Sequence, residues 1–339
     1  MKYILNIDWL SFFCQGTPPK PFSVYTLEEL PFGTPVFSRV ANLVLNNEVK
    51  AQVLWCPRSS VLGEYSMMIK INNRILYTNE WCLLLTDIRF AWGLSQIKIS
   101  RLDICADFQF FKFGLSAPKH IQNFIEQKTV KVGKAKFKLI GEQRKMIEYQ
   151  YLRFGEGSSP VSVYLYNKTI ELMQVKDKPY IREQWRAAGF DNKNHVWRLE
   201  FSLKGKALKI IDKKTGEFVT NDFAALTCKN VLQSFFSLFL NKYFTFKRCE
   251  VQQNKFRWEK IVLFDSAPTD FEIVDISMFS DTSRKHKIFL KQLFNLEKSM
   301  RALKPYQKQV TDELIFDYAT EHNLLGYTTK ISSRGTHFE

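Results

Sequence analysis

Residues 101–108 read Arg-Leu-Asp-Ile-Cys-Ala-Asp-Phe, and this alternation leaves few ways to fold the segment. On a β-strand successive side chains point to opposite faces. Asp103, Cys105 and Asp107 therefore share one face, and Leu102, Ile104 and Ala106 the other. Such a strand packs a core with one face and borders a cleft or solvent with the other. Strand-like alternation or short apolar runs recur in KYILNIDWLSFF, VANLVLN, KAQVLWC and YSMMIKIN, so most of the first 110 residues read as strands. Asn72–Asn73 reads as a hairpin turn.

Further along, Ser116 is an N-cap candidate with Pro118 just inside, which predicts a helix over Ser116–Gln127. Residues 128–153 are basic and strand-like. A Gly/Ser/Pro turn follows, then the strand VSVYLYNK, a helical stretch, and the strand HVWRLEFSLKGK. Phe223–Tyr243 is apolar around much of its helical circumference and reads as a core helix. After Lys260 strand signals thin out, and helical patterns cover about 281–303 and 307–322, with Pro305 between them. The expectation is an α+β protein. A large, mostly antiparallel sheet with helices on one face occupies residues 1–260, and a helical extension occupies 261–339. RLDICADF and WRLEFSLK share an Arg-Leu-acid start, an echo consistent with two similar halves.

The chain carries 49 basic and 34 acidic residues, a formal charge of +15. That excess calls for a polyanionic partner, nucleic acid before an anionic membrane surface. No apolar run approaches the roughly 20 residues of a membrane span, and Asp8 interrupts the apolar N-terminal stretch, which argues against a signal peptide. The six cysteines form no CxxC pair, consistent with free thiols in a reducing cytoplasm. The five histidines are scattered, which excludes a local His-x-His or HExxH metal motif.

The acids and one tyrosine are the residues that can carry chemistry. Asp103 and Asp107 stand about 13 Å apart along an extended strand, too far to share one ion without a bulge. Either can meet Glu200 if the two strands are neighbours, and Asp8 is a third acid inside an apolar strand. The competing reading is that these acids are solvated and paired with Arg101, Arg198 or nearby lysines. In VYLYNK, Tyr164 and Tyr166 share a face, and Lys168 falls two residues further on that same face. A tyrosine phenol can attack a phosphodiester when a cation neutralises the phosphate. It is also a common sheet aromatic. Between residues 128 and 145 seven basic side chains face one acid, Glu142. Lys134, Lys136, Lys138, Arg144 and Lys145, with Lys204, Lys206 and Lys247–Arg248, are candidate phosphate contacts. Phe244, Phe246, Phe256 and Trp258 are candidates for base stacking or for core packing.

The order of IDWLSF, RLDICADF, YLRFGEGSSPVSVYLYNKTIE and VWRLEFSLKG resembles the replication initiation factor family. These are the Rep-trans type of rolling-circle initiators of plasmids, with related relaxases of conjugative elements. The likeness covers roughly residues 1–245. It implies that Tyr166 is a nucleophile that nicks DNA at an origin, leaves a 5′-phosphotyrosine and frees a 3′-OH. It implies Lys168 as a phosphate partner, and a Mg²⁺ or Mn²⁺ ion held by Asp103, Asp107 and Glu200, with Glu171 as a further acid. It also implies origin DNA, partly single-stranded, a host helicase and a homodimer as partners. A conjugative relaxase has the same chemistry, and a non-catalytic origin-binding protein would keep the fold. The chain lacks the His-hydrophobic-His motif of another class of rolling-circle nickases, and Thr169-Ile170 is less polar than the matching positions of plasmid initiators.

Overall fold

The computed structural model describes residues 1–273 except 79, 134–135, 144–146, 176, 217, 222, 250–257, 266–268 and 270. Strands β1 (Tyr3–Gln15), β2 (Thr26–Glu29), β3 (Phe37–Leu45), β4 (Glu48–Pro57) and β5 (Ser66–Ile71) come first. Helices α1 (Asn73–Thr78) and α2 (Trp81–Trp92) follow, then β6 (Ser95–Phe108), α3 (Ala117–Ile125) and β7 (Thr129–Lys131). Next come β8 (Phe137–Gln143), β9 (Ile147–Phe154), β10 (Val161–Asn167), α4 (Lys168–Gln174), α5 (Pro179–Ala187) and β11 (Trp197–Lys204). The described part ends with β12 (Ile210–Asp212), α6 (Lys229–Tyr243), β13 (Phe246–Arg248), β14 (Lys260–Ile261) and β15 (Phe271–Ile273).

Ten strands form one antiparallel sheet in the order β2-β3-β4-β5-β1-β6-β11-β10-β9-β8. The α+β class and the large antiparallel sheet follow from the alternation seen in the sequence. The two Arg-Leu-acid strands, β6 and β11, are direct neighbours at the middle of the sheet, with Asp107 opposite Arg198 and Asp103 opposite Ser202. Their aliphatic faces are the core: Leu102, Ile104, Ala106, Leu199, Phe201 and Leu203 are all buried. Each large side chain so buried contributes about 1.5–3 kcal/mol. Helices α2, α3 and α6 cover this face, where the rings of Trp81, Phe124 and Phe236 lie 6.3, 5.5 and 5.5 Å from those of Phe12, Phe154 and Phe201. The short helices α1, α4 and α5 bring Tyr77, Lys168 and Trp185 to the opposite, polar face.

Several local expectations are altered. Asn72–Asn73 is not a hairpin turn; Asn72 Oδ1 accepts from the Arg74 amide as α1 begins. The hairpin turn is the other Asn pair, Asn46–Asn47, between β3 and β4, with φ of 52° and 61°. Asparagine tolerates left-handed backbone, and this turn type needs it twice in succession. The core helix expected over Phe223–Tyr243 starts at Lys229, after a short 3₁₀ turn at Ala224–Thr227. Leu263, Phe264 and Ile273 are buried in the same core as Ile104, so the unit continues past residue 260. The helices expected over 281–303 and 307–322 lie outside the described residues.

Ser116 caps α3 as expected, its hydroxyl accepting from the Lys119 amide at 3.4 Å. Ser116→Ala should lower stability by about 1 kcal/mol, read as a shift in the urea midpoint with an unchanged slope.

Candidate functional site

On the polar face, antiparallel pairing sets residues of neighbouring strands side by side in rows. One row runs Cys105, Glu200, Tyr164, Arg153, Lys138; the next runs Asp107, Arg198, Tyr166, Tyr151, Ile140. Tyr166 therefore lies diagonally beside Glu200, and its hydroxyl donates to Glu200 Oε2 at 3.0 Å. This bond joins the candidate nucleophile to one of the candidate acids.

Asp8 reaches the same site through a β-bulge. Ile7 pairs with Ile104 and Trp9 with Asp103, leaving Asp8 as the extra residue. Bulges of this kind re-aim a side chain. The Asp8 carboxylate accepts from Arg198 Nη1, from the Tyr77 hydroxyl at 3.0 Å and from Asn73 Nδ2 at 3.2 Å.

Arg198 is the hub of the site and is fully buried. Its Nε and Nη2 hold Asp107 Oδ1 and Oδ2 at 2.6 and 2.8 Å, a two-pronged pairing. Nη2 also donates to the Tyr77 hydroxyl at 2.8 Å, and Trp185 Nε1 donates to Asp107 Oδ2 at 2.8 Å. Asp107 thus spends both oxygens positioning Arg198. Asp103 is likewise taken by Arg101, whose Nε and Nη2 reach its two oxygens at 2.9 and 2.5 Å. The sequence offered these two arginines as partners for the acids, and the structure pairs them so. The acids, however, are buried rather than solvated. Glu200 makes no ion pair among the described residues.

The charges follow from this packing. Burial first, then the nearby Asp8 and Asp103, push Glu200 up to about 8, against partial relief from Arg198 and the Tyr166 hydroxyl. Burial, then the Glu200 carboxylate, pushes the Tyr166 phenol well above its ordinary value near 10. Burial also raises Asp8, but Arg198, Lys168, Lys178 and the Asn73 hydrogen bond outweigh it and hold that carboxyl well below the usual range. Burial raises Asp103 more than its Arg101 bonds lower it.

Glu200 therefore binds a proton more tightly in the folded chain than in the unfolded one. Its contribution to stability is complete below the ordinary glutamate value near 4.5 and is lost as pH rises through about 8. Wild-type protein free of divalent ions should lose melting temperature between pH 5 and 9, and Glu200→Gln should flatten that slope. A Glu200→Gln profile parallel to wild type would contradict the assignment.

The Tyr166-Asn167-Lys168 run has a structural logic of its own. Asn167 ends β10 and caps α4, its Oδ1 accepting from the Ile170 amide at 3.1 Å, while its amide nitrogen lies 2.7 Å from His195 Nδ1. Lys168 does not continue the strand beyond Tyr166. It is the first residue of α4, is buried, and pairs with Glu171 at 2.6 Å. Its ammonium lies over the Tyr166 ring, 5.5 Å from the centroid.

The chain matches no family model and no curated protein. It is similar to a solved structure of the rolling circle replication initiator protein from Geobacillus stearothermophilus. The TM-score is 0.48 at 15% identity, over 76% of this chain and 92% of that one. At that level the likeness assigns no role to any residue.

The basic candidates divide. Lys138 is exposed on the polar face, opposite Arg153. Lys136, just before β8, is exposed and pairs with Glu156 at 2.8 Å. Lys204 is half-buried and donates to the Gly157 carbonyl at 3.1 Å, and Lys206 is exposed. Lys134, Arg144 and Lys145 lie outside the described residues. Phe244 and Phe246 are buried in the core and have no face for a base; Phe256 is not among the described residues. No helix among the described residues is long and apolar enough to cross a membrane.

Sequence reasoning missed Tyr77, Asn73 and Trp185. All three sit on helices α1 and α5, and α1 begins where the sequence suggested a turn. Asp8 was visible as an acid in an apolar strand, but its bulge was not.

Proposed function

We propose that the protein nicks and rejoins DNA, with Tyr166 as nucleophile and Glu200 as its general base, to start rolling-circle replication of a plasmid, phage or other mobile element. The observation that carries this reading is the 3.0 Å hydrogen bond from the Tyr166 phenol to Glu200. The phenol holds its proton at neutral pH, so the proton passes to Glu200 as the phenolic oxygen attacks phosphorus. The P–O3′ bond breaks, the 3′-oxygen leaves and takes a proton from solvent to become a 3′-OH, and the 5′-phosphate remains on Tyr166. Lys168 is the nearby cation. Arg198, held by Asp107 and Asp8, fixes the floor on which Tyr166 lies.

A divalent ion, Mg²⁺ or Mn²⁺, belongs to this reading. Oxygen-only donors suit such hard cations, and a cation would offset both the burial of Glu200 and the nearby charges of Asp8 and Asp103 that raise it. Among the described residues no three acidic, histidine or cysteine side chains already stand in a ligating arrangement. Glu200 and Asp8 would hold the ion; Asp107 and Asp103 each have both oxygens engaged, by Arg198 and Arg101. Bound there, the ion would neutralise phosphate oxygens. Its binding should restore melting temperature at pH 8–9, where Glu200 is charged, and Glu200→Gln should abolish that gain.

The test of function is incubation with Mn²⁺ or Mg²⁺ and supercoiled DNA carrying the origin of the chain's own element. A nick with protein covalently attached supports the reading. Tight binding with no nick would sink it in favour of an origin-binding protein, and transfer of the attached strand to a recipient would identify a conjugative relaxase. A partner helicase and a homodimer are consistent with the initiator reading.

A further inference from the structure

Lys168, the cation that the proposed reaction sets against a phosphate, already has an anion. Asn167 caps α4 and makes Lys168 its first residue, so Glu171 falls one turn further on the same side of the helix. The Glu171 carboxylate lies 2.6 Å from the Lys168 ammonium. The lysine side chain is 2% exposed and the glutamate 34%, so the carboxylate covers the ammonium from the solvent side. A buried ammonium without a counter-charge is costly, and Glu171 supplies one in the free protein. Its hold is slight. Glu171 Oε2 is buried, and among the described residues it makes no hydrogen bond beyond that contact. Asp8, the other carboxylate that feels Lys168, is held by Arg198, Tyr77 and Asn73. A second cation lies within electrostatic reach of Glu171. Lys178, half-buried just before α5, donates to Asn73 Oδ1 at 3.2 Å.

We propose that Glu171 holds the phosphate's place on Lys168: its carboxylate occupies the ammonium at rest, and the arriving phosphate displaces it toward Lys178. The exchange is chemically even. Carboxylate and phosphate both accept from an ammonium at similar distances, and the rotatable donors of lysine take a new partner without rebuilding the site. Lys178 receives the carboxylate set free, so no charge is left alone. Glu171 is thus an internal competitor of DNA. Before DNA binds, it keeps Lys168 charged and aimed over the Tyr166 ring. The proposal rests on the reading of Lys168 as the cation that meets the phosphate attacked by Tyr166, and adds how that cation is kept until the phosphate arrives.

The test uses the full chain and a labelled single-stranded oligonucleotide carrying the nick site, with binding read by fluorescence anisotropy without divalent ions and nicking read with Mn²⁺. Glu171→Gln should tighten binding about fivefold, the scale of a partly exposed ion pair. It should lower KM by the same factor and leave kcat unchanged, because the bound state is the same. Glu171→Asp, which draws the carboxylate back by one methylene, should shift both in the same direction by less. Asp177→Asn is the control. Asp177 is 58% exposed and pairs with Arg182, so its loss should leave binding as in wild type. Lys178→Met should weaken binding, and that loss should vanish when Glu171→Gln is also present. Unchanged or weaker binding by Glu171→Gln and Glu171→Asp, folded by circular dichroism, would overturn the exchange. So would an equal gain in Asp177→Asn, and an equal Lys178→Met loss in both backgrounds would overturn the transfer to Lys178. Tighter binding by Glu171→Gln with no nicking by wild type would support the exchange while removing the nickase reading. Nicking by wild type without that gain would remove the exchange alone.

Discussion

Tyr166→Phe should abolish nicking, by a factor on the order of 10⁴ or more, because a covalent route has no second nucleophile to fall back on. The substitution is conservative for everything else. It keeps the ring beneath Lys168 and beside Tyr151, and deletes only the hydroxyl that donates to Glu200. Affinity for the DNA strand should change little, so the loss should appear in the cleavage rate rather than in binding. Tyr164→Phe, one row over on the same strand, leaves the Tyr166–Glu200 bond in place and should nick at close to the wild-type rate. A Tyr166→Phe protein that still nicks would mean that the hydroxyl bonded to Glu200 is only a sheet contact.

The largest effect on stability should come from Arg198→Leu. Leucine fills part of the space but leaves Asp107 and Asp8 facing each other with no guanidinium between them, and Asp107 is buried. Removing one partner of a buried ion pair costs about 3–5 kcal/mol, because the remaining charge is uncompensated. Arg198→Lys should recover little, since an ammonium cannot match the two-pronged grip on Asp107 while reaching Asp8 and Tyr77. The pH dependence has a definite sign. Arg198 helps hold Asp8 well below the usual carboxylate range, so its stabilisation is present above the ordinary value near 4 and is lost as pH falls through the lowered one. Urea unfolding should therefore find the gap between wild type and Arg198→Leu wider at pH 7 than at about pH 2, below the ordinary value. A uniform gap would assign the loss to packing alone.

The sheet was legible because its signal is local. The alternation in RLDICADF and WRLEFSLK separates core from polar face residue by residue, and the Ser116 cap with Pro118 marks the start of α3. The site was legible only in its membership. Asp103, Glu200 and Tyr166 do gather on one face, but their partners come from strands and helices far away in the chain. Pairing of β6 with β11 spans about ninety residues of sequence, and no local pattern encodes it. The bulge at Asp8 is a register shift between two strands, invisible in either strand alone. Lys168 was read on the strand face because the strand pattern runs up to it, whereas Asn167 caps a helix there. Asn-Asn suits a hairpin turn and a helix start alike, which is why α1 and Tyr77 were missed. Arg198 could be named as a partner, but burial decides that it is a hub rather than a surface counter-ion.

The most direct test of the central claim is to map the covalent adduct. Protein is reacted with a single-stranded oligonucleotide carrying its nick site and a divalent ion, then digested with protease and analysed by mass spectrometry. A nucleotide attached to the peptide containing Tyr166, through its 5′-phosphate, is the result expected. Cleavage with the nucleotide on another residue, such as Tyr164 or Tyr151, or cleavage with no adduct at all, would contradict it.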